Sequence, residues 1–226
     1  MPKLIGWALA ALIGYALGCV STGIIVSRLY GKIDIRDYGS GNVGMTNVMR
    51  TLGWVPSFLT FAGDALKGVA GALIGRLVGG EIGLHVGGLF AVIGHNWPAP
   101  LRFRGGKGMS TSFGYVLAAD WRLAIILLGL QTGILLITGY MSLASIVSSV
   151  ALVALAFVFK EGGMMIVVCA ILCALALYSH RENIIRLING NENRLNGRKI
   201  TDVSRKSVEK IKNRRKNRHE QNSRRS

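Results

Sequence analysis

The 226 residues are half apolar, only 17% are charged, and the net charge is +16; mean hydropathy is +0.41. A soluble domain carries about a quarter charged residues. The apolar residues run in long uncharged blocks without helix or strand period, which argues against a soluble globule and for membrane spans.

The first block, residues 4–27, follows a single charge at Lys3. Its apolar run is about twice the length of a signal-peptide core, so it reads as a first span and not a cleaved leader. A polar loop over 28–53 follows. It holds Gly39-Ser40-Gly41-Asn42-Val43-Gly44-Met45-Thr46-Asn47-Val48-Met49-Arg50. Glycine admits positive φ and lets backbone N–H groups converge on an anion. Hydroxyls and amides add donors, Arg50 adds charge, and a short helix over Thr46–Arg50 would favour phosphate at its N-terminus. A flexible surface loop has the same composition.

The second block, 54–79, contains Asp64 and Lys67, three residues apart. Unpaired, each costs ~2.5–3.5 kcal/mol at the bilayer centre, so the spacing predicts a mutual pair facing the bundle interior. It either braces helices or lines a site. The third block, 82–99, runs into Gly94-His95-Asn96-Trp97-Pro98 and then Phe103-Arg104-Gly105-Gly106-Lys107-Gly108-Met109-Ser110-Thr111. This is not a Walker A loop, because Gly108 follows Lys107 and the required earlier glycine is missing. Gly-Gly-Lys-Gly before a helix still suits an oxyanion through backbone donors, a point charge and a helix N-terminus. A plain basic juxtamembrane loop explains the charge but not the two internal glycines.

The fourth block, 109–119, is short for a crossing at ~1.5 Å per residue. It extends through the preceding glycines, tilts or re-enters. Blocks 123–138, 141–159 and 163–179 complete seven. Tyr140, Ser142 and Ser145 stand at the start of the sixth, where small hydroxyl residues commonly allow close packing. Cys19, Cys169 and Cys173 lie inside apolar blocks and read as buried thiols, and no Cys/His cluster has metal-ligand spacing, so no metal site is expected. The third polar segment is His180-Arg181-Glu182-Asn183-Ile184-Ile185-Arg186-Leu187-Ile188-Asn189-Gly190-Asn191-Glu192. A helix would present His180, Asn183 and Arg186 together. Flanking basic residues account for the arginines but not for His180 or Asn183. From Arg194 the chain carries 13 Lys/Arg against 3 Asp/Glu. Such a tail reads as solvated and disordered, drawn to anionic headgroups. It has no aromatic residue to stack on a base, so no nucleic-acid partner is expected.

If seven blocks cross, the 28–53 loop, the 100–108 loop, the 139–141 turn and the tail share one side. That side is strongly basic and the other nearly balanced, so it is cytoplasmic and the N-terminus is outside. All the glycine-rich polar segments fall on that side. The expected fold is an all-α integral membrane bundle of seven transmembrane helices over residues 1–193, with residues 194–226 as a basic cytoplasmic tail.

Taken in order, the three segments resemble the three motif regions of the bacterial acyl-phosphate:glycerol-3-phosphate acyltransferases. The resemblance covers nearly all of residues 1–193, with Met45 and Met109 standing where smaller residues are common. It implies seven spans, an outside N-terminus and a multi-pass protein of the bacterial cell membrane with its site facing the cytoplasm. It also implies transfer of an acyl group from acyl phosphate to the 1-hydroxyl of glycerol 3-phosphate, with lysophosphatidic acid and phosphate as products and no cofactor. Residues carried over are Ser40, Gly41, Asn42, Gly44, Thr46, Asn47 and Arg50; His95, Arg104, Gly105, Gly106, Lys107, Gly108 and Thr111; and His180, Asn183, Arg186, Gly190 and Glu192. Ser142 and the Asp64–Lys67 pair also match.

Acyl phosphate is an activated mixed anhydride. The protein must align a hydroxyl with its carbonyl and offset charge on two phosphates and an oxyanion. Lys107, Gly106 and Ser40 are assigned to acyl phosphate, and Arg50, Asn183 and His180 to glycerol 3-phosphate, with the glycine-loop amides as donors. His95 and His180 are the candidate bases by residue type; the resemblance implies that substrate phosphate can take the proton. A transporter would need polar residues along a path to both faces. A lipid-binding scaffold would leave the glycine motifs unexplained.

Overall fold

The computed structural model describes residues 2–195, so nearly all of the basic tail lies outside the described residues. Among these, every regular element is a helix: α1 (Lys3–Gly18), α2 (Thr22–Val26), α3 (Met45–Leu52), α4 (Trp54–Asn96), α5 (Met109–Ala119), α6 (Trp121–Thr138), α7 (Met141–Val158), α8 (Gly163–Ser179) and α9 (Arg181–Ile188). The chain divides into two compact units. One comprises residues up to Thr22 with Phe61–Arg194, and the other is built on Gly23–Thr60.

In the larger unit small residues set the packing. Lipid offers little hydrophobic drive between helices, so close van der Waals contact through glycine takes its place. Gly6, Ala10, Gly14 and Gly18 form the buried stripe of α1. A Cβ at Gly14 would stand 2.2 Å from the Gly87 carbonyl, and one at Gly18 2.2 Å from that of Ala91. α4 is two arms joined at Gly80, whose φ of 65° and ψ of −153° break the helix. The arms face each other through Gly71 against Gly87 and Gly75 against Gly83. The first arm meets α5 in the same way, through Gly68 against Thr111 and Gly114 against Ala65. Beyond these seams, Tyr115, Val116, Leu123, Leu152, Val168 and Leu172 make an apolar core. The Asp120 side chain caps α6 by accepting from the Arg122 N–H at 2.8 Å.

The smaller unit closes around Ile24, Ile33, Ile35, Val43, Val48, Met49 and Leu52. After α2 the chain makes one π-helical turn, Ser27–Gly31, and a 3₁₀ turn, Ile35–Asp37. Asp34 caps the latter and pairs with Arg28 at 3.0 Å and Arg36 at 2.7 Å.

Among the described residues, four helical runs are long and apolar enough to cross a membrane: Lys3–Gly31, Trp54–Leu101, Trp121–Thr138 and Met141–Val158. The pair Gly163–Ser179 and Arg181–Ile188, bent by 61°, makes a fifth if taken as one span. α5 has 11 residues, about half the length needed for a full crossing. The third apolar block ends as a helix at Asn96, three residues earlier than expected, because Trp97-Pro98 leads into a separate 3₁₀ turn.

Candidate active site

In the larger unit, the loop after α4 folds back onto the end of that helix. The Gly105 N–H donates to the Asn96 carbonyl at 3.1 Å, and the Gly106 N–H to the His95 carbonyl at 3.0 Å. These two amides therefore point inward and are not the anion donors expected of a glycine loop. The glycines serve close approach instead. A Cβ on Gly105 would lie 2.0 Å from the His95 carbonyl oxygen, and one on Gly106 2.0 Å from His95 Nε2. Gly108, at φ 78°, turns the chain into α5. No side chain caps that N-terminus, so its first amides and the Lys107 ammonium form the electropositive end of the loop.

Lys107 donates to Asn183 Oδ1 on α9. Asn183 Nδ2 donates to Glu192 Oε1 at 2.9 Å, the Ser142 hydroxyl donates to the same oxygen at 3.1 Å, and Arg186 Nε donates to Glu192 Oε2 at 2.9 Å. Glu192 thus gathers α7, α9 and, through Asn183, the lysine loop. Burial works against its ionisation, but the hydrogen bonds from Asn183, Arg186 and Ser142 together prevail and hold its carboxyl below the usual range. As an acceptor-only carboxylate it holds Ser142, Asn183 and Arg186 in place.

His180 is buried where α8 breaks into α9. Its Nδ1 lies 2.8 Å from the Ala176 carbonyl. A carbonyl only accepts, so Nδ1 carries the hydrogen and Nε2 keeps a lone pair when the ring is neutral. His95, Lys67 and Asp64 form a second buried group. Lys67 Nζ lies 2.9 Å from Asp64 Oδ1 and 2.8 Å from His95 Nδ1. The pairing expected from sequence is present, and it reaches a histidine that the sequence did not connect to it.

Ser40, Gly41, Asn42, Gly44, Thr46, Asn47 and Arg50 fold within the smaller unit. Asn47 is its internal fastener. Its amide nitrogen donates to the Tyr38 and Asn42 carbonyls at 2.9 and 2.8 Å, and its oxygen accepts from the Ser40 N–H at 3.0 Å. Asn42 accepts from the Gly44 N–H at 2.8 Å. Asn47 thus holds the loop's shape with the donor that the sequence reading offered to a ligand, and Asn42 with its oxygen. Ser40 is exposed and Arg50 half-buried. Of the second motif, Arg104 is exposed, whereas Thr111 is wholly buried with its carbonyl against Gly68. Sequence reasoning missed Thr22, which donates to Asp64 at 2.6 Å. Its one signal was a hydroxyl pair, Ser21-Thr22, inside an apolar block.

Comparison with known proteins agrees with these motifs. A family profile described as glycerol-3-phosphate acyltransferase matches residues 8–190. A protein of that name from Thermoanaerobacter pseudethanolicus is 43% identical over 187 residues, covering 83% of this chain and 94% of its own. One from Clostridioides difficile is 39% identical over 204 residues, covering 87% and 99%. Among solved structures, PlsY (YgiH), described as an integral membrane glycerol 3-phosphate acyltransferase in its glycerol 3-phosphate form, superposes with a TM-score of 0.81. It is 36% identical, over 86% of this chain and 98% of that one. Its lysophosphatidic acid form gives a TM-score of 0.79 at 35% identity.

Proposed function

The chain belongs to the glycerol-3-phosphate acyltransferase family, and on that premise we propose that it acylates the 1-hydroxyl of glycerol 3-phosphate with acyl phosphate as donor. The observation that carries the reading is the Lys107–Asn183 contact within the Glu192-centred group. It ties the ammonium that precedes the uncapped N-terminus of α5 to a side-chain amide, which Glu192 holds together with the Arg186 guanidinium. That combination suits phosphate oxygens and a developing oxyanion. The solved relative described with glycerol 3-phosphate and with lysophosphatidic acid supports both the acceptor and the product.

In the reaction the hydroxyl oxygen bonds to the acyl carbon, the anhydride C–O bond breaks, and phosphate leaves with the bonding pair. The hydroxyl proton passes to the departing phosphate, so an acyl-enzyme is not required. Lys107 lowers the negative charge on the donor phosphate. Asn183, held by Glu192, and His180, with its Nε2 lone pair, orient the acceptor. Ser40, assigned to acyl phosphate, and Arg50, assigned to glycerol 3-phosphate, lie in the smaller unit. The loop bearing Lys107 and the helix α9 bearing Asn183 are assigned to the cytoplasmic face of a seven-span bundle, on the strength of their basic charge.

The test is turnover by the purified full chain in lipid vesicles with palmitoyl phosphate and glycerol 3-phosphate. Lysophosphatidic acid and phosphate are expected in equal amounts. Equal or faster turnover with palmitoyl coenzyme A in place of palmitoyl phosphate would overturn the donor assignment.

A further inference from the structure

We infer that Lys67 and Asp64 are positioning residues that pin the His95 ring against Gly106 and so set the direction of Lys107, an inference that rests on the acyl-phosphate reading of that loop. The group is deeply buried, with Asp64, Lys67 and His95 at 1%, 7% and 6% exposure. Lys67 Nζ contacts four acceptors: the Gly18 carbonyl at 3.0 Å, the Val20 carbonyl at 2.7 Å, Asp64 Oδ1 at 2.9 Å and His95 Nδ1 at 2.8 Å. An ammonium has three hydrogens. Two go to the carbonyls of Gly18, the last residue of α1, and Val20, just beyond it. The third is shared by the Asp64 carboxylate and His95. Asp64 is fixed in turn by the Thr22 hydroxyl at 2.6 Å.

A buried ion pair is a poor way merely to join helices, since an apolar pair of similar size does that as well or better. Here α1 and the second arm of α4 already touch backbone to backbone through Gly14, Gly18, Gly87 and Ala91. What the ion pair adds is an orientation for the imidazole. With Nδ1 accepting from Lys67, the ring hydrogen sits on Nε2, on the edge that abuts Gly106. The Gly106 N–H also bonds to the His95 carbonyl at 3.0 Å. Ring and backbone of one residue thereby clamp the residue that precedes Lys107. Without Lys67 the ring is free to swing, and Gly106 keeps only its backbone bond to His95.

The experiment is a double-mutant cycle on the full chain in vesicles, read as kcat and KM for palmitoyl phosphate and for glycerol 3-phosphate. Wild-type turnover of palmitoyl phosphate tests the functional reading by itself. With that turnover established, Lys67→Met and His95→Gln are each expected to lower kcat/KM for palmitoyl phosphate about 100-fold, the loss typical of a reactive group displaced by about 1 Å. KM for glycerol 3-phosphate should change little. The double variant should be no worse than His95→Gln alone. Multiplying losses, near 10,000-fold, would mean independent roles and overturn the inference. So would an unimpaired Lys67→Met, or equal weakening toward both substrates. Should Lys67→Met fail to fold, the same cycle is run with Asp64→Asn, which keeps the shape and removes the charge.

Discussion

Gly106 shows how one missing methyl carries a requirement. A Cβ there would meet His95 Nε2 at 2.0 Å. Such a clash is cheap when the struck atom ends a flexible side chain, but this ring is tied at its other nitrogen to Lys67. Gly106→Ala is therefore expected to cut acyl transfer about 100-fold and to lower thermal stability as well, because neither the held ring nor the loop yields freely. A loss confined to stability would refute this account. Lys107→Met should lower kcat by 100-fold or more, the usual consequence of removing one preorganised charge-stabilising donor. His180 separates two routes for the proton. If phosphate accepts it, His180→Gln raises KM for glycerol 3-phosphate along with any fall in kcat. A fall in kcat alone, with KM unchanged, would make the Nε2 lone pair the base.

The weight of α9 rests on Glu192. α9 is eight residues long, too short to persist without tertiary support, and three side chains from α7 and α9 converge on that carboxylate. Glu192→Gln should cost about 2 kcal/mol in chemical unfolding and loosen Asn183 from Lys107, so activity falls with stability. Because the folded-state pKa is depressed, the contribution is fully present above the unfolded value of about 4.3 and is lost as pH falls through the lower folded one. The glutamine variant should show a shallower acid limb in unfolding free energy; an identical limb would sink the assignment. The long helical stretches were readable beforehand as uncharged blocks, and the break at Gly80 fell between two of them. The inward aim of the Gly105 and Gly106 amides was not readable. Glycine-rich spacing permits an anion nest and a tight helix-end closure equally, and only the positions of the His95 and Asn96 carbonyls decide between them.

The bundle as a whole makes one topological prediction. With seven crossings, single cysteines at Glu81 and Gly162 should react with an impermeant maleimide from outside, and cysteines at Arg104 and Asn191 only after the membrane is opened. All four positions are exposed. Labelling of Arg104 and Asn191 from opposite sides would dismantle the proposed site, which needs the lysine loop and α9 on one face.

The order of residues alone determined that this chain lives in a membrane, which segments are helical, where its chemistry-bearing residues lie and which family they resemble, because hydropathy blocks and short motifs are local properties of a chain. Tertiary structure decided the employment of each polar group. Asn47 spends its amide and Asn42 its side-chain oxygen on their own loop, Glu192 gathers three donors, and Lys67 reaches across to His95. Those outcomes depend on which partner lies within about 3 Å after helices pack, a distance that sequence separation does not encode.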